Sequence, residues 1–215
     1  MQIKESLRKV IGLPNKIYNH CLLNYRHVKR GSNLQINGRL YVVSNKYNWI
    51  KIGDNVHINS CRGANPIGGD AKTILFAGVK GTISIGDNCG ISNATLFARE
   101  SIEVGNNVLI GGGVKIYDTD FHWLDYERRI SEVGGVTLPV TIKDGAFVGA
   151  HTIILKGVTV GTKSIIGAGS VITKSIPDGE IWAGNPAHFI RKIDDLEIDY
   201  VNENQADDSP VASER

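Results

Sequence analysis

The segment Val114–Arg129, VKIYDTDFHWLDYERR, places one histidine among several carboxylates. A histidine titrates near neutral pH, so His122 can take a proton from a hydroxyl or amine that attacks an electrophile. Asp118, Asp120 or Asp125 can orient its imidazole ring, or they can be solvated loop carboxylates. We interpret His122 as a candidate general base; the alternative is an ordinary exposed loop histidine.

The residues after His122 suit the binding of a polar or cyclic substrate. Trp123 can stack on a sugar ring, or it can pack at a subunit interface. Arg128 and Arg129 can meet an anionic group or pair with Glu127 and its neighbours. The sequence leaves both interpretations open for each of these side chains.

Other nucleophilic and metal-binding residue types form no cluster in the sequence. Cys21, Cys61 and Cys89 contain no CxxC pair and fit a reducing cytosol better than a disulfide framework. No second histidine lies within a few residues of His122, so we expect no metal. His151 occupies a predicted turn position, where histidine tolerates a positive φ.

Length and charge narrow the class of protein. A chain of 215 residues suits one domain, and a net charge of +2 gives no overall field for nucleic acid. No apolar stretch approaches the roughly 20 residues that span a bilayer, and the N-terminus lacks a signal-peptide core. We therefore expect a cytoplasmic protein.

A six-residue repeat runs through the middle of the chain. Three residues after half of its inward positions stands Asn or Gly, which tolerate the positive φ of a tight corner. Three hexads make one triangular turn of 18 residues, and such turns stack through parallel strands. The positions predicted to point inward, all aliphatic except Phe97, are 52, 58, 85, 91, 97, 104, 110, 116, 142, 148, 154, 160, 166 and 172.

The register predicts an all-β solenoid of about six coils with two excursions. Leu34 and Leu40, 18 residues before Ile52 and Ile58, are assigned to the first coil. Long insertions in a regular solenoid are frequent functional sites. The coils are predicted to start near residues 34, 52, 85, 104, 142 and 160, with loops at about 64–82 and 117–139 and a one-residue slip between 85 and 104.

The two ends differ from this middle. Residues 1–30 carry seven Lys or Arg and one Glu, with apolar residues at helical spacing that Gly12 and Pro14 are expected to divide into two short helices. We predict a helical cap over 1–30, with a peripheral membrane contact as the alternative. The solenoid domain covers 31–193, and the acidic segment 194–215 is predicted to be a flexible tail.

The hexads, the loop histidine and the run IGAGSVITKSIPDGEIWAGNPAHFIRKI together resemble a known family. Over about 50–193 the chain resembles the hexapeptide-repeat acyltransferases, in the branch of sugar O-acetyltransferases for galactosides, maltose and bacterial surface polysaccharides. The resemblance implies a left-handed parallel β-helix with an N-terminal helical cap and two extended loops. It also implies a homotrimer whose active sites lie between subunits and bind acetyl-CoA.

The resemblance also assigns roles to residues. His122 matches the loop histidine that acts as general base. Thr173 and Lys174 match the approach to the coenzyme A phosphates, and Arg191 matches a basic residue at the nucleotide end. The coil corners that line the pantetheine channel match Ala150, Gly167 and Ala168. The segment DTDFHWLD departs from the Gly-His-Pro type of turn, so the acceptor stays open. The predicted acceptor-binding residues are Asn93, Asp120, Trp123, Asp125 and Arg128.

These inferences predict an acetyl-CoA-dependent O-acetyltransferase acting on a sugar or bacterial surface glycan. The acceptor hydroxyl attacks directly in a ternary complex. A thiol has a pKa of ~8.5, so the thiolate leaves without a strong acid, and a backbone N–H can bind the oxyanion. The alternatives are N-acetylation of an amino sugar, a γ-type zinc carbonic anhydrase and a non-catalytic solenoid binding protein.

Overall fold

The structure is a computed structural model that describes residues 2–44, 49–78 and 80–194, with side chains from residue 13 onward. The predicted acidic tail beyond residue 194 lies outside the described residues. The described part is a stack of six coils, each built from three short parallel strands. The predicted fold class, an all-β left-handed parallel β-helix, is confirmed.

The strands of successive coils pair in parallel to form three faces, A, B and C. Face A contains β1 (Lys29–Arg30), β4 (Ile50–Ile52), β7 (Thr82–Ile85), β10 (Ser101–Val104), β13 (Val140–Ile142) and β16 (Thr159–Val160). Face B contains β2 (Gln35–Gly38), β5 (His57–Ser60), β8 (Gly90–Ser92), β11 (Leu109–Ile110), β14 (Phe147–Val148), β17 (Ile165–Ile166), β19 (Glu180–Gly184) and the antiparallel β20 (Ala187–Lys192). Face C contains β3 (Tyr41–Val43), β6 (Ile74–Ala77), β9 (Thr95–Ala98), β12 (Lys115–Tyr117), β15 (Ile153–Ile154) and β18 (Val171–Ile172).

The hexad explains both the core and the corners. The predicted inward aliphatic residues are buried along the axis of the solenoid, with one exception. The corner residues adopt a positive φ, as predicted for Asn and Gly. The predicted corner positions with positive φ are Asn55, Asn88, Asn107, Gly113, Gly145, Gly157 and Gly169.

The exception is Phe97, for which the inward prediction was wrong. Leu96 is fully buried in its place, paired with Leu75 of the coil below, and Phe97 points outward and stacks on Phe76 with ring centroids 4.2 Å apart. The B-to-C corner of this coil is one residue shorter, because Leu96 follows Ile91 after five residues instead of six. The next inward step, from Leu96 to Val104, takes eight residues instead of six, so the net excess of one residue between Ile85 and Val104 arises at the following C-to-A corner.

The predicted first coil was also displaced. Arg30 and Ile36, rather than Leu34 and Leu40, lie opposite Ile52 and Ile58. The offset arises because the connection from β3 to β4 is longer than a normal corner. A constant step of 18 residues missed this local insertion.

The first excursion has two parts. One segment, 61–73, joins β5 to β6, and a second, 78–81, joins β6 to β7. The strand Ile74–Ala77 therefore lies inside the predicted loop 64–82 and adds its side chains to face C. The second excursion, 118–139, joins β12 to β13 and contains α2 (Tyr126–Ser131).

The N-terminal helix α1 (Gln2–Tyr25) is continuous, so the predicted break at Gly12 and Pro14 was wrong. It lies against the first coil, where Asn19 donates to the Gly38 carbonyl at 2.9 Å and accepts from the Leu40 N–H at 3.1 Å. Leu23 is buried in the core cluster. Within the described residues, no helix has the length and apolarity that a bilayer span requires.

Candidate active site between two edges of the solenoid

The loop that carries His122 leaves the solenoid where face C meets face A, which we call the CA edge. The Asp118 carboxylate is buried at its base and accepts the backbone N–H groups of Arg99 at 2.8 Å and Glu100 at 2.7 Å. Burial raises the pKa of Asp118, against the opposing effect of these hydrogen bonds. Phe121 packs on the Phe97 ring at 4.9 Å. The loop therefore has a fixed base.

An ion pair holds the next part of the loop on the following coil. Lys156 Nζ lies 2.7 Å from Asp120 Oδ1, and both side chains are about three-quarters buried. The backbone N–H of His122 donates to the Asp120 carbonyl oxygen at 2.7 Å. The His122 side chain is exposed, and no described residue hydrogen-bonds to its ring. The loop thus fixes the backbone of His122 and leaves the nitrogen atoms of its imidazole ring accessible.

Three of the predicted acceptor-binding residues of this loop, Trp123, Asp125 and Arg128, contact one another. The Arg128 guanidinium lies 3.4 Å above the Trp123 ring and pairs with Glu132 at 3.1 Å. Asp125 caps α2 by accepting the Arg128 N–H at 2.9 Å. Trp123 Nε1 is buried without a hydrogen-bond partner among the described residues. Packing therefore accounts for Trp123 in this chain, and acceptor binding by these residues stays a prediction.

The three candidate partners of the His122 ring differ in what they bind. Asp118 accepts backbone N–H groups, and Asp125 caps a helix. Asp120 is paired with Lys156 through one oxygen, whereas its Oδ2 is buried and has no partner among the described residues. Sequence reasoning missed Lys156, because a lysine at a coil corner gives no sign of a partner 36 residues earlier.

The second group of predicted residues lies where face B meets face C, the BC edge. Ala150 and Ala168 stack on successive coils, and the Gly169 N–H donates to the Ala150 carbonyl at 2.8 Å. A Cβ on Gly149 would lie 2.6 Å from the Ala168 nitrogen, so only glycine permits this close stacking. Among the described residues, the N–H groups of Ala150 and Ala168 have no hydrogen-bond acceptor. Gly167 precedes Ala168 on the same edge.

Asn93 also lies on the BC edge, but segment 61–73 covers it. Its side chain is 2% exposed, and its amide donates to the Ala71 carbonyl. A Cβ on Gly68 would collide with the Asn93 side chain, so the covering segment is in direct contact. A role for Asn93 in acceptor binding stays a prediction, and this arrangement does not expose it.

The remaining predicted coenzyme residues fall elsewhere. Thr173 and Lys174 follow β18 and are exposed on the CA edge, while Arg191 lies on β20. The structure therefore does not bring the predicted residues together within one chain. Ala150 and Lys156 mark opposite edges of face C, and six residues of extended chain separate them by up to about 20 Å.

The outer surface of face C, which lies between these edges, is largely apolar. Its exposed side carries partly buried aromatic and aliphatic side chains on successive coils. These are Ile74, Phe76, Phe97, Tyr117, Ile153, Leu155 and Val171.

No group of three His, Cys, Asp or Glu side chains able to hold a metal ion occurs among the described residues. His151 lies at a BC corner with φ of 60° and is exposed, in agreement with its predicted turn position.

Two segments of the chain match family models. Residues 82–118 match the hexapeptide repeat of succinyl-transferase, and residues 139–174 match the bacterial transferase hexapeptide with six repeats. These are the coils that flank the His122 loop.

Individual relatives cover part of the chain. Galactoside O-acetyltransferase of Escherichia coli is 38% identical over 109 residues, which are 50% of this chain and 52% of that protein. The mitochondrial gamma carbonic anhydrase 2 of Arabidopsis thaliana is 32% identical over 117 residues, 46% of this chain and 41% of that protein. The chain thus spans about half the length of the curated relatives it matches.

A solved structure extends the likeness over most of the chain. A galactoside acetyltransferase in complex with coenzyme A superimposes with a TM-score of 0.55 and 27% identity, covering 82% of this chain and 70% of that one. Fold and repeat thus define a hexapeptide-repeat β-helix protein. In its two repeat segments and in its fold, the chain resembles hexapeptide-repeat acyltransferases.

Proposed function

We propose that this protein is an acetyl-CoA-dependent O-acetyltransferase that acetylates a hydroxyl of a sugar or surface glycan. The observation that carries the proposal is the exposed, unpaired His122 ring on a loop fixed by the Asp120–Lys156 pair. A base must be reachable by substrate and held in place, and this loop meets both requirements. The similarity to proteins named galactoside O-acetyltransferase supports a sugar as the acceptor.

In the proposed reaction His122 removes the proton of the acceptor hydroxyl as its oxygen attacks the thioester carbonyl. The carbon–sulfur bond breaks, the acetyl group stays on the oxygen, and the thiolate leaves with the proton that His122 carries. A corner amide, such as those of Ala150 and Ala168, can donate to the oxyanion or to the amides of the pantetheine arm. Acetyl-CoA supplies the acyl group as co-substrate.

We further propose that the site forms between subunits of a trimer. The base lies on the CA edge, the open corner amides lie on the BC edge, and the apolar outer surface of face C separates them. If face C turns toward a threefold axis, the BC edge of one subunit meets the CA edge of the next. Such a heterologous contact closes after three subunits, and it would bury the apolar surface.

A further part of this proposal concerns the compartment. Cys21, Cys61 and Cys89 are all free thiols, which suits a reducing cytoplasm where activated glycans are assembled.

Lys174 and Arg191 are proposed to meet the phosphates of the coenzyme. The role of 1–30 as a cap of the solenoid is part of the same proposal.

The catalytic test measures thiol release from acetyl-CoA across hydroxyl and amine acceptors. His122→Ala is expected to reduce turnover by roughly 10²–10⁴, with acetyl-CoA affinity largely kept. Near-wild-type turnover in this variant would refute the assignment. Release only with amine acceptors would indicate N-acetylation, and stoichiometric zinc without thiol release would indicate a carbonic anhydrase.

The assembly is tested by mixing two inactive variants. Ala168→Trp is expected to block the BC edge, while His122→Ala removes the base from the CA edge. After joint unfolding and refolding at equal amounts, about a quarter of the interfaces combine two intact edges, so about a quarter of the activity should return. A mixture that stays inactive, although both variants form trimers, would place the whole site within one chain.

A further inference from the structure

The N-terminal helix α1 has one face buried against the solenoid and one face exposed. Asn19 and Leu23 are buried against the first coil. The side chains that point away from the coil recur every four residues and are exposed, so they form one stripe along the helix. We call this the outer stripe, and it consists of Leu13, Ile17, Cys21 and Tyr25. Exposed apolar residues in such a row indicate an interaction surface.

The part of the chain that contains the outer stripe is basic. Between residues 6 and 53 the chain has nine Lys or Arg and no Asp or Glu. The Arg26 guanidinium lies 5.2 Å from the Tyr25 ring, and that of Arg39 lies 5.0 Å from the Tyr18 ring. Aromatic and aliphatic side chains bordered by basic residues are the composition of a helix that lies in a membrane interface.

A cavity beside the outer stripe also has a basic lining. It occupies about 620 Å³ between α1 and the first coil, and Lys16, His20 and Arg30 contribute its basic lining. Among the residues that the structure describes, no acidic side chain lines it. One guanidinium nitrogen of Arg30, Nη1, is buried without a partner among the described residues. This environment suits the phosphate of a lipid headgroup.

We propose that the outer stripe rests on the surface of an anionic phospholipid membrane. The apolar side chains enter the headgroup region, while the basic residues meet the lipid phosphates. A second copy of this chain fits the surface less well, because two uniformly basic borders repel each other. Binding of this kind is peripheral and does not depend on the proposed acetyl transfer.

Co-sedimentation of the full chain with vesicles tests the proposal. We expect binding to vesicles of phosphatidylglycerol and phosphatidylcholine, weaker binding at high salt, and little binding to phosphatidylcholine alone. Ile17→Asp should lower the bound fraction at least about tenfold. The matched control is Leu109→Asp on face B, because Leu109 is 53% exposed and Ile17 is 57% exposed. That control should bind like the wild type.

Two outcomes would overturn the proposal: absence of wild-type binding to anionic vesicles, and equal losses in Ile17→Asp and Leu109→Asp. If the wild type does not bind and Ile17→Asp changes the oligomeric state, the outer stripe contacts a second copy of the chain instead. Tyr25→Asp provides a second variant on the stripe, and circular dichroism verifies that each variant folds. Thiol release with a soluble acceptor is measured in parallel, so loss of membrane binding and loss of acetyl transfer are separate results.

Discussion

Replacing Lys156 tests whether the pose of the His122 loop depends on one ion pair. Lys156→Met keeps most of the aliphatic stem and removes the ammonium that lies 2.7 Å from Asp120 Oδ1. Both oxygens of Asp120 would then lack a partner, because Oδ2 already has none among the described residues. An unpaired, largely buried carboxylate favours a loop conformation that returns it to water. The base would move with that loop.

The expected magnitude follows from the burial of the pair. The side chains are 24% and 21% exposed, so the pair lies between a surface ion pair, about 0.2–1 kcal/mol, and a fully buried one, whose disruption costs about 3–5 kcal/mol. We expect Lys156→Met to destabilise the productive conformation of the loop by about 1–2 kcal/mol. Because 1.36 kcal/mol corresponds to a factor of ten, turnover should fall about 5- to 30-fold.

The assay is steady-state thiol release with acetyl-CoA and a hydroxyl acceptor. The loss should appear in kcat with the acetyl-CoA KM little changed, and Lys156→Arg should restore most of it. Asp120→Asn combined with Lys156→Met should cost little more than Lys156→Met alone, because the two groups act as one unit. Lys163→Met, at an exposed corner of the AB edge where faces A and B meet, is the matched control. Wild-type turnover in Lys156→Met would refute the reasoning.

Two further predictions concern stability. Leu96→Ala should lower the free energy of unfolding by about 2–5 kcal/mol, as for a fully buried leucine, and Phe97→Ala should cost clearly less in the monomer, because its ring lies outside the core. Denaturant titration measures both, and a larger loss for Phe97→Ala would contradict the register. Asp118 has a pKa raised above 3.8 in the folded state, so the unfolded chain releases this proton first. As pH rises through the window above 3.8, the wild type should therefore lose stability relative to Asp118→Asn, and a difference that does not change with pH would exclude this effect.

The regular part of the fold was readable from sequence because each hexad encodes its own geometry. An aliphatic residue every six positions specifies what points inward, and Asn or Gly three residues later specifies where the chain turns. These are local preferences of backbone and side chain, so no distant contact is needed to infer them. The resemblance carried by the C-terminal run then led to the family, which the comparisons support.

Departures from the repeat were harder to place. The sequence shows that one residue is added between Ile85 and Val104, but only strand pairing shows that Leu96 replaces Phe97 in the core. It also shows an excess before Ile85, but not that the strand Ile74–Ala77 divides it. Each misplacement arose because pairing with the neighbouring coil, rather than spacing along the chain, fixes the register.

The sequence by itself therefore determined the solenoid, its corners and the histidine that stands apart from it. Only the tertiary structure decided that Asp120 pairs with Lys156, that Asp118 and Asp125 are engaged elsewhere, and that the BC and CA edges lie on opposite sides of face C. Those contacts join residues far apart in the chain. They arise from the stacking of coils, and the hexad pattern carries no information about which exposed side chains that stacking brings together.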